Sequence, residues 1–157
     1  LERFRDRWYP GDTANYSIGQ GFLLLTPIQL ARIYAAIANG GKLVTPHLLE
    51  EAQEISHMQL PEGPLAIVRE GIEEVVKRGT GRRAGQYGVS VAGKTGTAEN
   101  PHGDDHAWFV GYAPAEDPRF VAVALVEGGK AGSSTAGPIV GELLGYLHRF
   151  CEKGGSR

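Results

Sequence analysis

Gly88-Val89-Ser90-Val91-Ala92-Gly93-Lys94-Thr95-Gly96-Thr97-Ala98-Glu99-Asn100-Pro101-His102-Gly103 is the stretch on which the fold turns. From Gly88 to Thr95 it satisfies the phosphate-loop pattern G-x-x-x-x-G-K-[ST], which as a string predicts a nucleotide hydrolase. That chemistry needs a flexible loop around the phosphates and a helix starting at the lysine, so that its N-terminal amides face the anion. Val89, Val91 and Ala92 favour extended backbone instead. Gly96, Pro101 and Gly103 would break any helix begun at Lys94. The stretch therefore reads as a strand over 89–97, with Lys94 and Thr95 held between glycines, and then a turn.

Reading outward, Ala107-Trp108-Phe109-Val110-Gly111-Tyr112 predicts a second strand over 106–113, and Phe120 to Val126 a third over 119–127. The link Ala113-Pro114-Ala115-Glu116-Asp117-Pro118 is short and rich in turn residues, so these two strands should form an antiparallel hairpin. Trp108 and Phe109 alternate across the strand, which sends one of them to the core. A glycine- and serine-rich run from Gly128 to Gly137 leads to a helix over 138–150. Ile139, Leu143, Leu147 and Phe150 form its apolar stripe, with Val140 and Leu144 beside it. Gly141 and Gly145 weaken that helix and are expected to let it approach the sheet closely. Cys151 near its end is expected to be inert.

Upstream, Leu65, Val68, Ile72, Val75 and Val76 recur at helical spacing and predict a helix over 65–78. Glu73 and Glu74 should face outward, with Lys77 and Arg78 suited to the last turn. The clearest helix start is Thr26-Pro27-Ile28-Gln29, with Thr26 as N-cap, Pro27 in the first position and Gln29 closing a capping box. This helix should cover 27–39 and stop at Gly40-Gly41. It is apolar nearly all round and is expected to be mostly buried. Residues 42–64 read as loop with at most one short strand, and the chain up to Gly21 as irregular. The sum is an α+β fold: three antiparallel strands with helices on their faces.

Composition sets bounds on function. The 157 residues fit one domain with a real core, and 41% hydrophobic with 22% charged residues is an ordinary globular balance. A formal net charge of -2 argues against a nucleic-acid partner. One cysteine excludes an internal disulfide and a multi-cysteine metal site. No run of about 18 apolar residues spans a membrane, and the opening Leu1-Glu2-Arg3-Phe4-Arg5-Asp6-Arg7 is not a signal peptide. The abrupt start suggests a piece of something longer. His102-Gly103-Asp104-Asp105-His106 gathers metal-ligating types, but ligands this close in a loop rarely close a site, and a turn accounts for them. The Glu50-Glu51 and Glu73-Glu74 pairs read as solvated faces.

Val91-Ala92-Gly93-Lys94-Thr95-Gly96-Thr97-Ala98 on a strand resembles the KTG-T-A element of penicillin-binding proteins and serine β-lactamases. The wider text follows the same pattern and order. It comprises Trp8-Tyr9-Pro10-Gly11-Asp12-Thr13, Ser17-Ile18-Gly19-Gln20-Gly21, Thr26-Pro27-Ile28-Gln29-Leu30, Ala38-Asn39-Gly40-Gly41, His106 to Pro114 and the Ala136-Gly137-Pro138-Ile139 helix start. From Trp8 to about Phe150 the chain is similar to class B penicillin-binding proteins, nearest the cell-elongation type. The resemblance implies part of the penicillin-binding, β-lactamase-like transpeptidase fold and a role in cross-linking peptidoglycan stem peptides, with no cofactor and no metal. It also implies site residues. Lys94 would supply positive potential, and Thr95 a hydrogen bond to a carboxylate of substrate or β-lactam. Gly96 would allow close approach, and the Thr97 backbone N–H would form half of an oxyanion hole. Gln20, His102 and His106 would lie near the cleft.

The family's nucleophile sits in Ser-x-x-Lys, with Ser-x-Asn between it and KTG. Neither motif begins at Ser17, Ser56, Ser90, Ser133, Ser134 or Ser156. The resemblance therefore implies that residues 1–157 are the C-terminal portion of one transpeptidase domain, inactive alone. Its partner would be the N-terminal portion of that domain, which carries the serine. It also implies a bacterial cell-envelope enzyme on the extracytoplasmic face of the inner membrane, anchored by a segment outside this chain and working with a membrane glycosyltransferase. A fragment of a β-lactam sensor or serine β-lactamase, and a non-catalytic structural module, share the KTG signal and stay open at this level.

Overall fold

The computed structural model describes residues 7–49 and 55–154. Three strands form its sheet: β3 (Ala92–Ala98), β4 (His106–Ala113) and β5 (Phe120–Val126), antiparallel in that order. These are the three expected from sequence, with β3 beginning at Ala92 rather than at Val89. Register pairs Lys94 with Val110, Thr95 with Phe109 and Thr97 with Ala107, and β4 with β5 from Ala107–Val126 to Ala113–Phe120. β3 lies at an edge of this sheet. No helix starts at Lys94, so the phosphate-loop reading has no structural counterpart.

Four α-helices flank the strands among the described residues: α1 (Pro10–Ser17), α2 (Pro27–Asn39), α3 (Glu62–Lys77) and α4 (Ala136–Gly154). A small antiparallel pair, β1 (Lys42–Val44) with β2 (Ile55–His57), joins α2 to α3, where at most one strand was expected. The Glu50-Glu51 pair lies outside the described residues. The capping box of α2 forms as read, with Thr26 accepting from the Gln29 N–H and Gly40 closing the helix at φ 82. α3 starts earlier than periodicity suggests, at Glu62, because Pro64 still falls within a first turn that tolerates proline. Glu73 and Glu74 are half-buried and paired with Lys77 and Arg78.

Two apolar clusters sandwich the sheet. On one face Phe109, Ala107, Ala113 and Ala122 meet Ala136, Val140 and Leu144 of α4. On the other, Ala92 and Tyr112 meet Ala38 of α2 and Ile72 of α3. Arg69 of α3 ties the helices together, donating to the Ile37 and Ala38 carbonyls at 2.7 and 2.8 Å. Those orphan C-terminal carbonyls of α2 are thereby satisfied.

Four expectations are corrected. The chain before Gly21 is not irregular: α1 forms there, with Pro10 at its start and Asp12 accepting from the Tyr9 N–H at 2.8 Å. End capping carries a helix whose interior residues are poor helix formers. α2 is not mostly buried, since Ile28 and Ile33 are 53% and 42% exposed. The inward face of α4 is Ala136-Val140-Leu144, while Ile139, Leu143 and Phe150 of the expected stripe are exposed. Finally, Gly141 and Gly145 approach not the sheet but the segment after α3. A Cβ on Gly141 would stand 2.3 Å from the Ala84 carbonyl oxygen, and one on Gly145 2.4 Å from that of Tyr87. Backbone contact this close selects the glycine face over the bulkier one.

Candidate active site

β3 brings the predicted site residues to an edge. Successive side chains of a strand alternate between faces. Thr95 and Thr97 therefore share the α4 face with their partners Phe109 and Ala107, whereas Lys94 and Gly96 share the opposite face with Val110 and Trp108. Lys94 and Thr97 are exposed, and Thr95 is half-buried. The ammonium and the hydroxyls thus flank the edge from two sides.

The backbone of this edge is also oriented. Gln20 Nε2 donates to the Thr97 carbonyl at 3.1 Å, and Lys94 Nζ donates to the Thr95 carbonyl at 2.9 Å. Side chains reach those carbonyls because they point away from β4. In an antiparallel ladder a residue directs its N–H and C=O to the same side. The Thr95 and Thr97 N–H groups accordingly face outward too. Between them, Gly96 could not carry a side chain freely, as a Cβ would lie 3.2 Å from Trp108 Cβ.

Thr80, which sequence reasoning passed over, holds Thr95: the two hydroxyls are 2.8 Å apart. Thr80 sits between Gly79 and Gly81, whose built Cβ atoms would come within 2.9 and 3.0 Å of Val75. The turn is thus pressed onto the end of α3. A hydroxyl between two glycines after a helix was the available signal, but its partner across the turn is a tertiary fact.

A cavity of about 380 Å³ opens on the Trp108 side, lined by Gln20, Leu24, Gly96, Thr97, His106 and Trp108 among others. Phe109 is fully buried, so the expected division between it and Trp108 holds. His106 Nδ1 accepts from the Gly128 N–H at 3.1 Å. His102 is exposed in the turn, with its backbone N–H on Asn100 Oδ1. Asp105 accepts from the Asn100 N–H and Asp104 pairs with Lys130 at 3.7 Å, so this acidic turn is engaged in its own structure. Gly132 lies against the strand, where a Cβ would meet the Trp108 and Gly96 carbonyl oxygens at 2.2 and 2.6 Å.

The penicillin binding protein transpeptidase domain matches residues 4–145 by its family model. The chain belongs to that family. Among relatives of this transpeptidase-family chain, the peptidoglycan D,D-transpeptidase MrdA of Haemophilus influenzae is 34% identical over 92% of the chain and 27% of its own length. Penicillin-binding protein 2 of Helicobacter pylori superimposes with a TM-score of 0.83 at 33% identity, over 96% of this chain and 29% of that one. Penicillin-binding protein A of Mycobacterium tuberculosis, as an imipenem acyl-enzyme complex, gives 0.73 at 30% identity, over 85% and 33%. The chain spans about a quarter of the length of the curated relatives it matches. The resemblance to the elongation-type proteins and the α+β transpeptidase fold both stand.

Proposed function

We propose that this chain supplies one wall of the active site of a peptidoglycan D,D-transpeptidase. The observation that carries the reading is the free edge of β3, whose outward Thr95 and Thr97 backbone groups are flanked by Lys94 on one face and threonine hydroxyls on the other. An extended peptide can add to such an edge through main-chain hydrogen bonds. Gly96 keeps the approach close. The terminal carboxylate of a stem peptide, or that of a β-lactam, is met by the Thr95 hydroxyl under the positive potential of Lys94. The Thr97 N–H points to where a tetrahedral oxyanion develops and donates one of its hydrogen bonds. Gln20 holds the same edge at the Thr97 carbonyl and, with His106, lines the adjoining cleft.

The serine of Ser-x-x-Lys belongs, on this reading, to the N-terminal portion of the same domain. It attacks the penultimate D-alanine carbonyl and releases the last residue, and an amine from a neighbouring stem resolves the acyl-enzyme. β-Lactams acylate the same serine. The reading is supported by relatives named peptidoglycan D,D-transpeptidase and penicillin-binding protein 2, and it assigns the intact enzyme to bacterial cell-wall synthesis. We further place the intact enzyme at the extracytoplasmic face of the membrane, through an anchor elsewhere in the protein and beside a glycosyltransferase. Among the described residues no helix is long and apolar enough to cross a membrane.

The test is the second-order acylation rate of the full-length enzyme by benzylpenicillin. Thr95→Val should lower it roughly ten- to a hundred-fold, the loss of one charge-assisted hydrogen bond of about 1.5–3 kcal/mol. Lys94→Ala should lower it at least as much. Both variants should stay folded, because neither side chain is in the core. Parental acylation rates in both folded variants would remove Lys94 and Thr95 from the carboxylate site.

A further inference from the structure

On the hydroxyl side of β3 lies a second hollow, of about 370 Å³, lined by Thr80, Arg82, Arg83, Gln86, Ser133 and Ser134. Thr80 is the residue whose hydroxyl meets that of Thr95, so the hollow adjoins the proposed carboxylate site directly. Arg82 and Arg83 belong to the short 3-10 turn Arg82–Gly85, which Ala84 anchors in the core. Ser133 and Ser134 come from the loop that Gly132 presses onto Gly96. Two rigidly backed segments therefore bring two guanidinium groups and two hydroxyls together. No carboxylate lines the hollow, and no ion pair among the described residues involves either arginine. Unpaired guanidiniums beside hydroxyls are a donor-rich, positively charged surface suited to an anionic oxygen ligand.

We infer that this hollow is an acceptor subsite, receiving a carboxylate of the incoming stem peptide beyond the amine that reacts. The inference rests on the transpeptidase reading above. Aminolysis of the acyl-enzyme is the reverse of acylation by a peptide, so the incoming amine occupies the place the departing amine left. The departing residue carries the carboxylate held at Thr95. The acceptor must therefore extend past Thr95, over Thr80, toward Arg82 and Arg83. In that step the amine attacks the ester carbonyl and a C–N bond forms. The bond from carbonyl carbon to serine oxygen breaks, and the proton shed by the amine returns to the serine. Water competes for the same acyl-enzyme. Arg82 and Arg83 favour an anionic acceptor over water without touching the reacting atoms.

The experiment forms the acyl-enzyme of the full-length protein from a stem-peptide donor and measures the ratio of aminolysis to hydrolysis. Two acceptors are compared: a stem peptide with a free carboxylate beyond its reacting amine, and the same peptide as its carboxamide. In the Arg82→Gln/Arg83→Gln variant the ratio should fall about two- to five-fold for the carboxylate acceptor, the range for exposed charge pairs, and stay unchanged for the carboxamide. Arg83→Glu should disfavour the carboxylate acceptor further, while benzylpenicillin acylates both variants at the parental rate. An unchanged ratio, or an equal fall with both acceptors, in variants that acylate normally overturns the subsite alone. A parent that forms no acyl-enzyme overturns the transpeptidase reading and this subsite with it.

Discussion

Thr80 and Thr95 share a hydroxyl contact of 2.8 Å, and on it depends where the Thr95 oxygen points. Removing it with Thr80→Val should slow β-lactam acylation of the full-length enzyme a few-fold, within the range of about 0.5–1.5 kcal/mol for a neutral hydrogen bond. Thr80→Ser should restore the rate, because it keeps the oxygen. A Thr80→Val enzyme that acylates like the parent would mean that Thr95 needs no such support. Lys94, Thr95, Gly96 and Thr97 were legible as a group because strand alternation and two glycines are local properties of eleven consecutive residues, Gly88 to Ala98. Thr80 was not, since nothing local to Gly79-Thr80-Gly81 says which strand it will face. The outward direction of the Thr97 N–H needed Gln20, a residue 77 positions away.

At the scale of elements, the packing of α4 makes the sharpest prediction. Gly141→Ala would normally favour a helix by about 1 kcal/mol. Here the added carbon meets the Ala84 carbonyl at 2.3 Å, and overpacking of about 1–3 kcal/mol should win. A denaturation midpoint raised by Gly141→Ala would show that α4 does not lie against the 82–87 segment. The seam between α2 and β4 makes another. Burial pushes the Tyr34 phenol up to about 12, with Tyr112 adding to the shift, from an ordinary 10.0. The unfolded phenol loses its proton first, so this contribution is intact below pH 10 and is lost between about 10 and 12. Melting temperature should fall through that window, by the equivalent of roughly 3 kcal/mol at most, and Tyr34→Phe should flatten the fall. A Tyr34→Phe profile superimposable on the parent's would assign the alkaline loss to other groups. The strands were readable because β-branched and aromatic runs declare themselves locally. Periodicity also marked α2 and α4 as apolar. It could not say which face of α4 would meet a backbone, nor what lies opposite Ile28 and Ile33.

At the scale of the whole molecule, two groups of exposed apolar side chains stand out among the described residues. One runs through Trp8, Phe22, Leu24, Leu25 and Ile28, the other along Ile139, Leu143, Tyr146 and Phe150, where the last two rings stack at 6.1 Å. If the N-terminal portion of the domain covers them, the 157-residue chain alone should bind a hydrophobic dye and lose that binding on reconstitution with the portion carrying Ser-x-x-Lys. Equal dye binding before and after reconstitution would count against it. The chain alone should also form no covalent adduct with benzylpenicillin. Intact-mass measurement showing one would place a nucleophile within these residues. The two-sided edge of β3 has a last consequence. On the proposed reading, a ligand held there is fixed by its main chain along the strand, by a cation on one face and by hydroxyls on the other. Three such constraints that are not coplanar distinguish an object from its mirror image. On the proposed reading the wall is therefore a chiral gauge. It fits a terminal residue of one hand better than its mirror image, so stereoselectivity is set before any bond is broken.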